Sequence, residues 1–341
     1  MQYMSRPSGV HPATRDLDRR LRGQLVAAKT LVRGLATFIP SADALLARAA
    51  RRGGDARYCY TVWLRHLVHV RRAGTTGYPQ AVAELGPGES LGAGLAALLG
   101  GAEIYYALDV EPYADALADL RVFDQLVALY RERAPIPGDG EFPDAFPRLP
   151  SYEFPSSILD EGRLRRALAD ERIAELRRSI REPYRPGSRV RYIAPYSLPD
   201  AIPRNSVDLV FSQAALYYVV NLPELFQAVR GWLAPRGAMS HQIDFGAVGT
   251  AKGWNRHWTY SDVTWRLMRG RRPSWPTRAP HSTYLRAVTE AGFEVLVDLC
   301  VRGPSEVEPE ELARAFRHLS NDDLTTRGAP IIARRNDEAR E

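Results

Sequence analysis

From residue 79 onward, short apolar runs alternate with helical stretches, and that alternation leaves few folds open. Ala81 to Leu85 reads as a strand, Leu91 to Leu99 as a helix, Ile104 to Asp109 as a second strand and Pro112 to Leu120 as a second helix. Arg189 to Ile193, Val207 to Ser212 and Ala238 to Phe245 supply further strands, with a helix over Pro223 to Leu233 before the last of these. A helix over Tyr284 to Ala291 precedes a strand over Glu294 to Val301, and Pro330 to Arg334 fits a final one. Strands separated by helices pair in parallel, because each crossover must return over a face of the sheet. The expected fold is therefore α/β: a doubly wound, Rossmann-like, mostly parallel seven-stranded sheet with helices on both faces. Its ligand belongs at the carboxyl ends of the strands, where strand order reverses.

Residues 1–78 read instead as a helical extension, which makes 79–341 the sheet domain. Leu17, Leu21, Leu25, Leu31, Val32 and Leu35 recur largely at three- and four-residue intervals. Ser41 offers an N-cap for a second helix ending at Gly53-Gly54, and a third runs from Tyr58 to Arg72, burying Tyr60, Trp63, Leu64, Leu67 and Val68. Two insertions break the sheet's rhythm. One, about 124–188, holds six prolines between Pro135 and Pro155 and then a charged helix from Glu161 to Arg181, an expected lid. The other, about 246–280, holds Trp254, Trp258, Trp265 and Trp275, which suit either a pocket wall or a satellite core.

Charge is a poor guide to partners. The formal net charge is +6, but of 46 cationic residues only Lys29 and Lys252 are lysine. Either cation serves a phosphate backbone, so this skew reads as coding bias of a GC-rich genome and no nucleic-acid partner is expected. The segment from Leu21 to Pro40 contains Lys29 and Arg33, so no membrane span is expected. Arg15, Asp16, Asp18, Arg19 and Arg20 stand where a signal peptide needs apolar residues, which makes the cytoplasm the expected location. Cys59 and Cys300 are too few and too separated for a zinc site; both are expected to be reduced, buried hydrophobes, with no metal.

The first strand runs into Glu84-Leu85-Gly86-Pro87-Gly88-Glu89-Ser90-Leu91. Glycines at 86 and 88 permit a sharp strand-to-helix turn and close approach of a ligand. A dinucleotide's pyrophosphate would be poorly served, since Pro87 removes an amide donor, Glu89 adds an anion, and Leu91 replaces the third glycine of a G-x-G-x-x-G turn. S-Adenosylmethionine carries no phosphate, and its ammonium and sulfonium would welcome Glu84. Asp109, ending the second strand, stands at the spacing of an acid that takes ribose hydroxyls.

These residues resemble the first motif of class I S-adenosylmethionine-dependent methyltransferases, [ED]-x-G-x-G, with Asp109 matching the ribose-binding acid. Leu198 to Gln213 resembles the third and fourth motifs, and Leu233-Ala-Pro-Arg-Gly237 the turn leading into the fifth strand. The resemblance covers about 79–123 and 189–301. It is to bacterial-type members and implies S-adenosylmethionine as cofactor, held by Glu84, Gly86, Pro87, Gly88, Ser90, Asp109, Val110, Ser212 and Gln213. Asp208, at the start of its strand, is expected to be structural. Adenine would meet Tyr196 or Ser197, since the usual acid is missing there.

In-line methyl transfer to a hydroxyl needs a base near the fourth and fifth strand tips. His241 is the first choice, with Asp244 near it on the opposite face of the strand and His257 in the aromatic insertion as further candidates. Tyr217 and Tyr218 stand where relatives place a substrate-facing residue, and His66 and His69 read as packing or surface. The absence of an [ND]-P-P-[YF] run and of a Pro-Cys nucleophile argues against methylation of nucleic-acid bases. O-methylation of a small molecule or glycan is the favoured expectation. An RNA or protein methyltransferase docking through arginine-rich helices, a non-catalytic adenosylmethionine-binding protein, and an NAD enzyme are the alternatives.

Overall fold

The computed structural model describes residues 26–35, 37, 54–272 and 274–336. The helix expected to start at Ser41 lies outside the described residues, as does the beginning of the first. Ten helices are described: α1 (26–35), α2 (Ala56–Arg72), α3 (Gly92–Leu99), α4 (Ala116–Arg131), α5 (Glu161–Ala167), α6 (Asp170–Arg181), α7 (Leu222–Trp232), α8 (Asp262–Arg269), α9 (His281–Glu290) and α10 (Asn321–Thr325). The strands are β1 (Ala81–Leu85), β2 (Ile104–Leu108), β3 (Val190–Ile193), β4 (Val207–Gln213), β5 (Leu233–Asp244), β6 (Phe293–Asp298), β7 (Val301–Arg302) and β8 (Thr326–Arg335).

The strands form one eight-stranded sheet in the order β3-β2-β1-β4-β5-β8-β6, with the two-residue β7 beside β8. β1 to β5 are parallel, while β8 runs antiparallel to both β5 and β6, so β6 points the same way as the parallel set. Order reverses between β1 and β4, which opens the ligand crevice at their carboxyl ends. The Rossmann-like expectation holds, with β7 as an addition. β5 begins five residues earlier than its apolar run, because Leu233 already pairs with Val207. α4 continues to Arg131, into residues expected to be insertion, since Val122, Phe123, Leu126, Val127 and Tyr130 keep a buried helical stripe. The charged helix is two, α5 and α6, broken where Ala169 turns extended (ψ 142°).

By packing, the described chain divides into two units. One contains 54–244, Ala279–Arg302 and 328–336; the other contains α1 with Phe245–Arg278 and Gly303–Arg327. α2, expected as part of a separate prefix, packs in the core of the sheet unit. Asp55 caps it by accepting from the amides of Arg57 and Tyr58. Trp63, wholly buried, meets Phe211 of β4 edge-on at 5.4 Å, an aromatic burial of about 2–3 kcal/mol.

α2 also settles what the proline-rich segment is. The guanidinium of Arg65, wholly buried, donates to the carbonyls of Ala145 (2.7 Å), Pro147 (2.9 Å) and Pro137 (3.4 Å), and to Asp139 Oδ1 (3.1 Å). Tyr60 Oη, Thr61 Oγ1 and His69 Nε2 hold the carbonyls of Ala134, Pro137 and Arg148 in the same way. Prolines cannot donate a backbone N–H, so a proline-rich loop exposes surplus carbonyls, and α2 supplies the donors. The expected lid is a clamped strap.

In the other unit, Trp258 packs with Val307, Leu312, Leu319 and Leu324, and Trp265, Met268 and Trp275 pack with Ala27 and Leu31 of α1. The tryptophans form satellite cores, and Trp258, Trp265 and Trp275 are buried, which removes them as an open pocket wall. None of the described helices is long and apolar enough to cross a membrane.

Arg65→Met should strand the carbonyls of Ala145 and Pro147, weaken the hold on Pro137 and Asp139, and release the strap. We expect a loss of about 3 kcal/mol or more in denaturant unfolding and faster proteolysis within 135–150. Unchanged stability would contradict the clamp.

Candidate functional site

The crevice between β1 and β4 is built on the turn after β1. Gly86 (φ +68°) and Gly88 (φ +66°) occupy left-handed backbone that a side chain would strain. A Cβ on Gly86 would come within 2.7 Å of the Cβ of Ala215, so the turn lies directly against the segment following β4. The amide of Gly86 donates to Leu108 O (2.8 Å), Pro87 has none, and the amide of Gly88 donates to Asp109 Oδ2 (2.9 Å). Asp109 Oδ1 takes the amide of Val110 (2.7 Å), and its carbonyl accepts from Tyr196 N–H (3.1 Å). Burial pushes the Asp109 carboxyl up, against the pull of those amides. The turn, the end of β2 and Tyr196 are thus one hydrogen-bonded rim, with the Val110 side chain exposed beside it.

Glu84 is elsewhere. Period-two alternation turns it inward under α3, where Tyr105 Oη donates to Oε2 (2.6 Å) and the Gly94 amide also reaches it. Tyr105 needs Gly94 bare, for a Cβ there would fall within the phenol ring. Burial raises the Glu84 carboxyl to about 8, so it is mostly protonated at neutral pH. Ser90 likewise faces inward: its hydroxyl donates to Asp119 Oδ1 (3.4 Å), which also accepts from Leu91 N–H (2.9 Å). Asp208 accepts from the amides of Gln80 and Ala81 at the opposite edge of the sheet, a structural role.

The histidines expected as bases are not accessible. His241 is 1% exposed on the α7 side of the sheet, its Nδ1 2.8 Å from Ser212 Oγ and its Nε2 buried without a partner. Burial lowers its pKa to about 3, so it stays neutral and cannot reach an acceptor. Ser212 is wholly buried on that bond. His257 lies in the other unit against Trp258 (ring centroids 4.7 Å), and burial beside Arg278 lowers it to about 3.

Asp244 stands at the edge of the sheet. It ends β5, half-buried, near enough to Tyr217 to help burial raise that phenol. Tyr217 and Tyr218 form a 3₁₀ turn just after β4, rings 4.3 Å apart, with Tyr218 exposed. Two residues of α2 stand behind the tip of β4, and His66 is the buried packing residue it was expected to be. Tyr58 of α2 lies near Gln213, and His66 of α2 sets that amide with Nε2 3.2 Å from Gln213 Oε1 while Nδ1 lies 2.7 Å from Ser240 Oγ. His66 is lowered to about 4 by burial. Helical periodicity marks these positions as buried or flanking but cannot reveal a partner on β4, 147 residues away.

No family profile matches the chain, and no curated protein matches it. Solved structures similar to it include a candidate sarcosine dimethylglycine methyltransferase from Galdieria sulphuraria, with 13% identity, TM-score 0.41, and 81% of this chain and 85% of that one covered. Another is an S-adenosylmethionine-dependent methyltransferase from Mesorhizobium loti, with 17% identity, TM-score 0.36, and coverage of 83% and 99%. A third is phosphoethanolamine N-methyltransferase 2 from Haemonchus contortus, with 14% identity, TM-score 0.39, and coverage of 80% and 53%.

The buried groups predict a pH signature. His66, His241 and His257 keep their protons off in the folded state, so they reduce stability only as pH falls below about 6.5. Glu84 keeps its proton on, so its contribution is complete below about 4.5 and is lost as pH rises through about 8. Between pH 6.5 and 8 the Glu84 effect stands apart. Glu84→Gln should abolish a loss of roughly 2 kcal/mol across that window, measured by urea unfolding; an identical slope in the variant would contradict a buried neutral acid.

Proposed function

We propose that the protein is an S-adenosylmethionine-dependent methyltransferase acting on a small molecule or glycan. One observation carries this reading: every backbone donor from Gly86 to Gly88 is already spent, on Leu108 and Asp109, or absent at Pro87. A pyrophosphate seeks such donors, and these three residues have none to give. Adenosylmethionine needs instead a small-residue floor and ribose acceptors. Gly86 against Ala215 supplies the floor. The Asp109 carboxylate, with two amides already bound, keeps acceptor capacity for hydroxyls. When bound, the cofactor would supply the electrophilic methyl. Gly86, Pro87, Gly88, Asp109 and Val110 would hold it, with Gln213 at its methionine side; Glu84, Ser90 and Ser212 would support the turn from behind.

Methyl transfer to oxygen requires proton removal, and Asp244 is the candidate base that reaches the strand-tip edge in the sheet unit. Tyr217 and Tyr218 would orient the acceptor. Two of the four arginines of α6 are spent within the protein, Arg172 on Glu103 (3.2 Å) and Arg177 on Asp124 (2.6 Å), which weakens that helix as an RNA-docking face. Paired cations release fewer counterions on binding nucleic acid.

Labelled methyl from adenosylmethionine, followed into small molecules of a cell extract, tests the proposal. Asp244→Asn should cut transfer by about 10²-fold or more while cofactor affinity stays unchanged. His241→Asn should lower stability with little effect on transfer by the folded fraction. Transfer unaffected by Asp244→Asn would remove Asp244 as base, and label found only in RNA or protein would overturn the small-molecule reading.

A further inference from the structure

At the carboxyl end of β6, and independent of the proposed methyl transfer, three side chains of different ligand type converge. His281 is the first residue of α9, Asp298 the last of β6, and Cys300 follows two residues later. His281 Nε2 lies 2.9 Å from Asp298 Oδ1, and Cys300 Sγ lies 3.8 Å from that nitrogen and 3.7 Å from that oxygen. Cys300 is half-exposed, against the expectation of a buried thiol, while His281 is buried. Among the described residues, this is the group of histidine, cysteine and acidic side chains whose ligand atoms lie close enough together to hold an ion.

We infer that His281, Asp298 and Cys300 bind a divalent transition-metal ion of the zinc class. The argument is the size of the triangle. Tetrahedral zinc takes nitrogen and oxygen at about 2.0–2.1 Å and sulfur at about 2.3 Å, which sets donors about 3.3 Å apart for N to O and about 3.6 Å apart for each pair with sulfur. The observed sides of 2.9, 3.7 and 3.8 Å match these within about half an ångström, so small rotations of the side chains suffice. Imidazole and thiolate select zinc over magnesium or calcium, which take oxygen sets. Binding removes the Cys300 thiol proton, and His281 would ligate through Nε2, the nitrogen that faces Asp298. Three protein ligands leave a fourth position for water or an incoming donor. The ion would tie the amino end of α9 to β6 at the edge of the sheet that also bears Asp244, since β6 runs parallel to β5 across β8.

Two isolated cysteines read as too few for a zinc site in the sequence, but one cysteine suffices here, because α9 and β6 bring an imidazole and a carboxylate to it. Cobalt(II) titration of the full chain gives a direct readout. One equivalent should bind with a thiolate-to-cobalt charge-transfer band, and zinc should displace it. Cys300→Ser should lose the band and Asp298→Asn should weaken cobalt binding about tenfold or more, with both variants checked for fold by circular dichroism. Cys59→Ser should keep the band. Cobalt binding without a thiolate band, a band that survives Cys300→Ser, or no binding by the folded wild type would each overturn the site and leave His281 and Asp298 as a hydrogen-bonded pair.

Discussion

The carboxylate of Asp109 fastens the end of β2 to the turn after β1 by accepting the amide of Gly88. That bond fixes a backbone which only glycine accommodates without strain, and the fixed turn presses Gly86 against Ala215 beyond β4. Three parallel strands therefore meet at one point, where the order of the sheet reverses. Everything placed at that edge is referred to this junction: Tyr196 through the Asp109 carbonyl, Gln213 at the tip of β4, and Asp244 at the tip of β5.

Behind the junction, titratable groups are held neutral by burial. Glu84 keeps its proton under α3, and His66 and His241 do without theirs on opposite faces of β5, each hydrogen-bonded to a serine. A charged group in any of these places would cost several kcal/mol of desolvation. The edge of the sheet stands apart from this pattern, since Asp244 and Tyr218 reach solvent there.

Alternation of apolar runs made the sheet legible, because burial on both faces leaves continuous strands such as Ala81–Leu85 and because the glycine turn punctuates them. The rim was legible for the same reason: Gly86, Gly88 and Asp109 are constrained by backbone geometry. The side chains were harder. Glu84, Ser90 and His241 have the right residue types at the right strand ends, but which way each faces depends on partners such as Tyr105, Asp119 and Ser212. Arg65 and the strap it holds left no mark in periodicity, since an arginine on a helix reads as solvated until loop carbonyls are found around it.

Isothermal titration of the wild-type chain with S-adenosylmethionine, and separately with NAD, tests the central claim most directly, for it asks whether a turn without spare amide donors selects a cofactor without phosphate. The account predicts saturable one-to-one binding of adenosylmethionine and no measurable binding of NAD. Binding of NAD, or failure of adenosylmethionine to bind the folded protein, would contradict it.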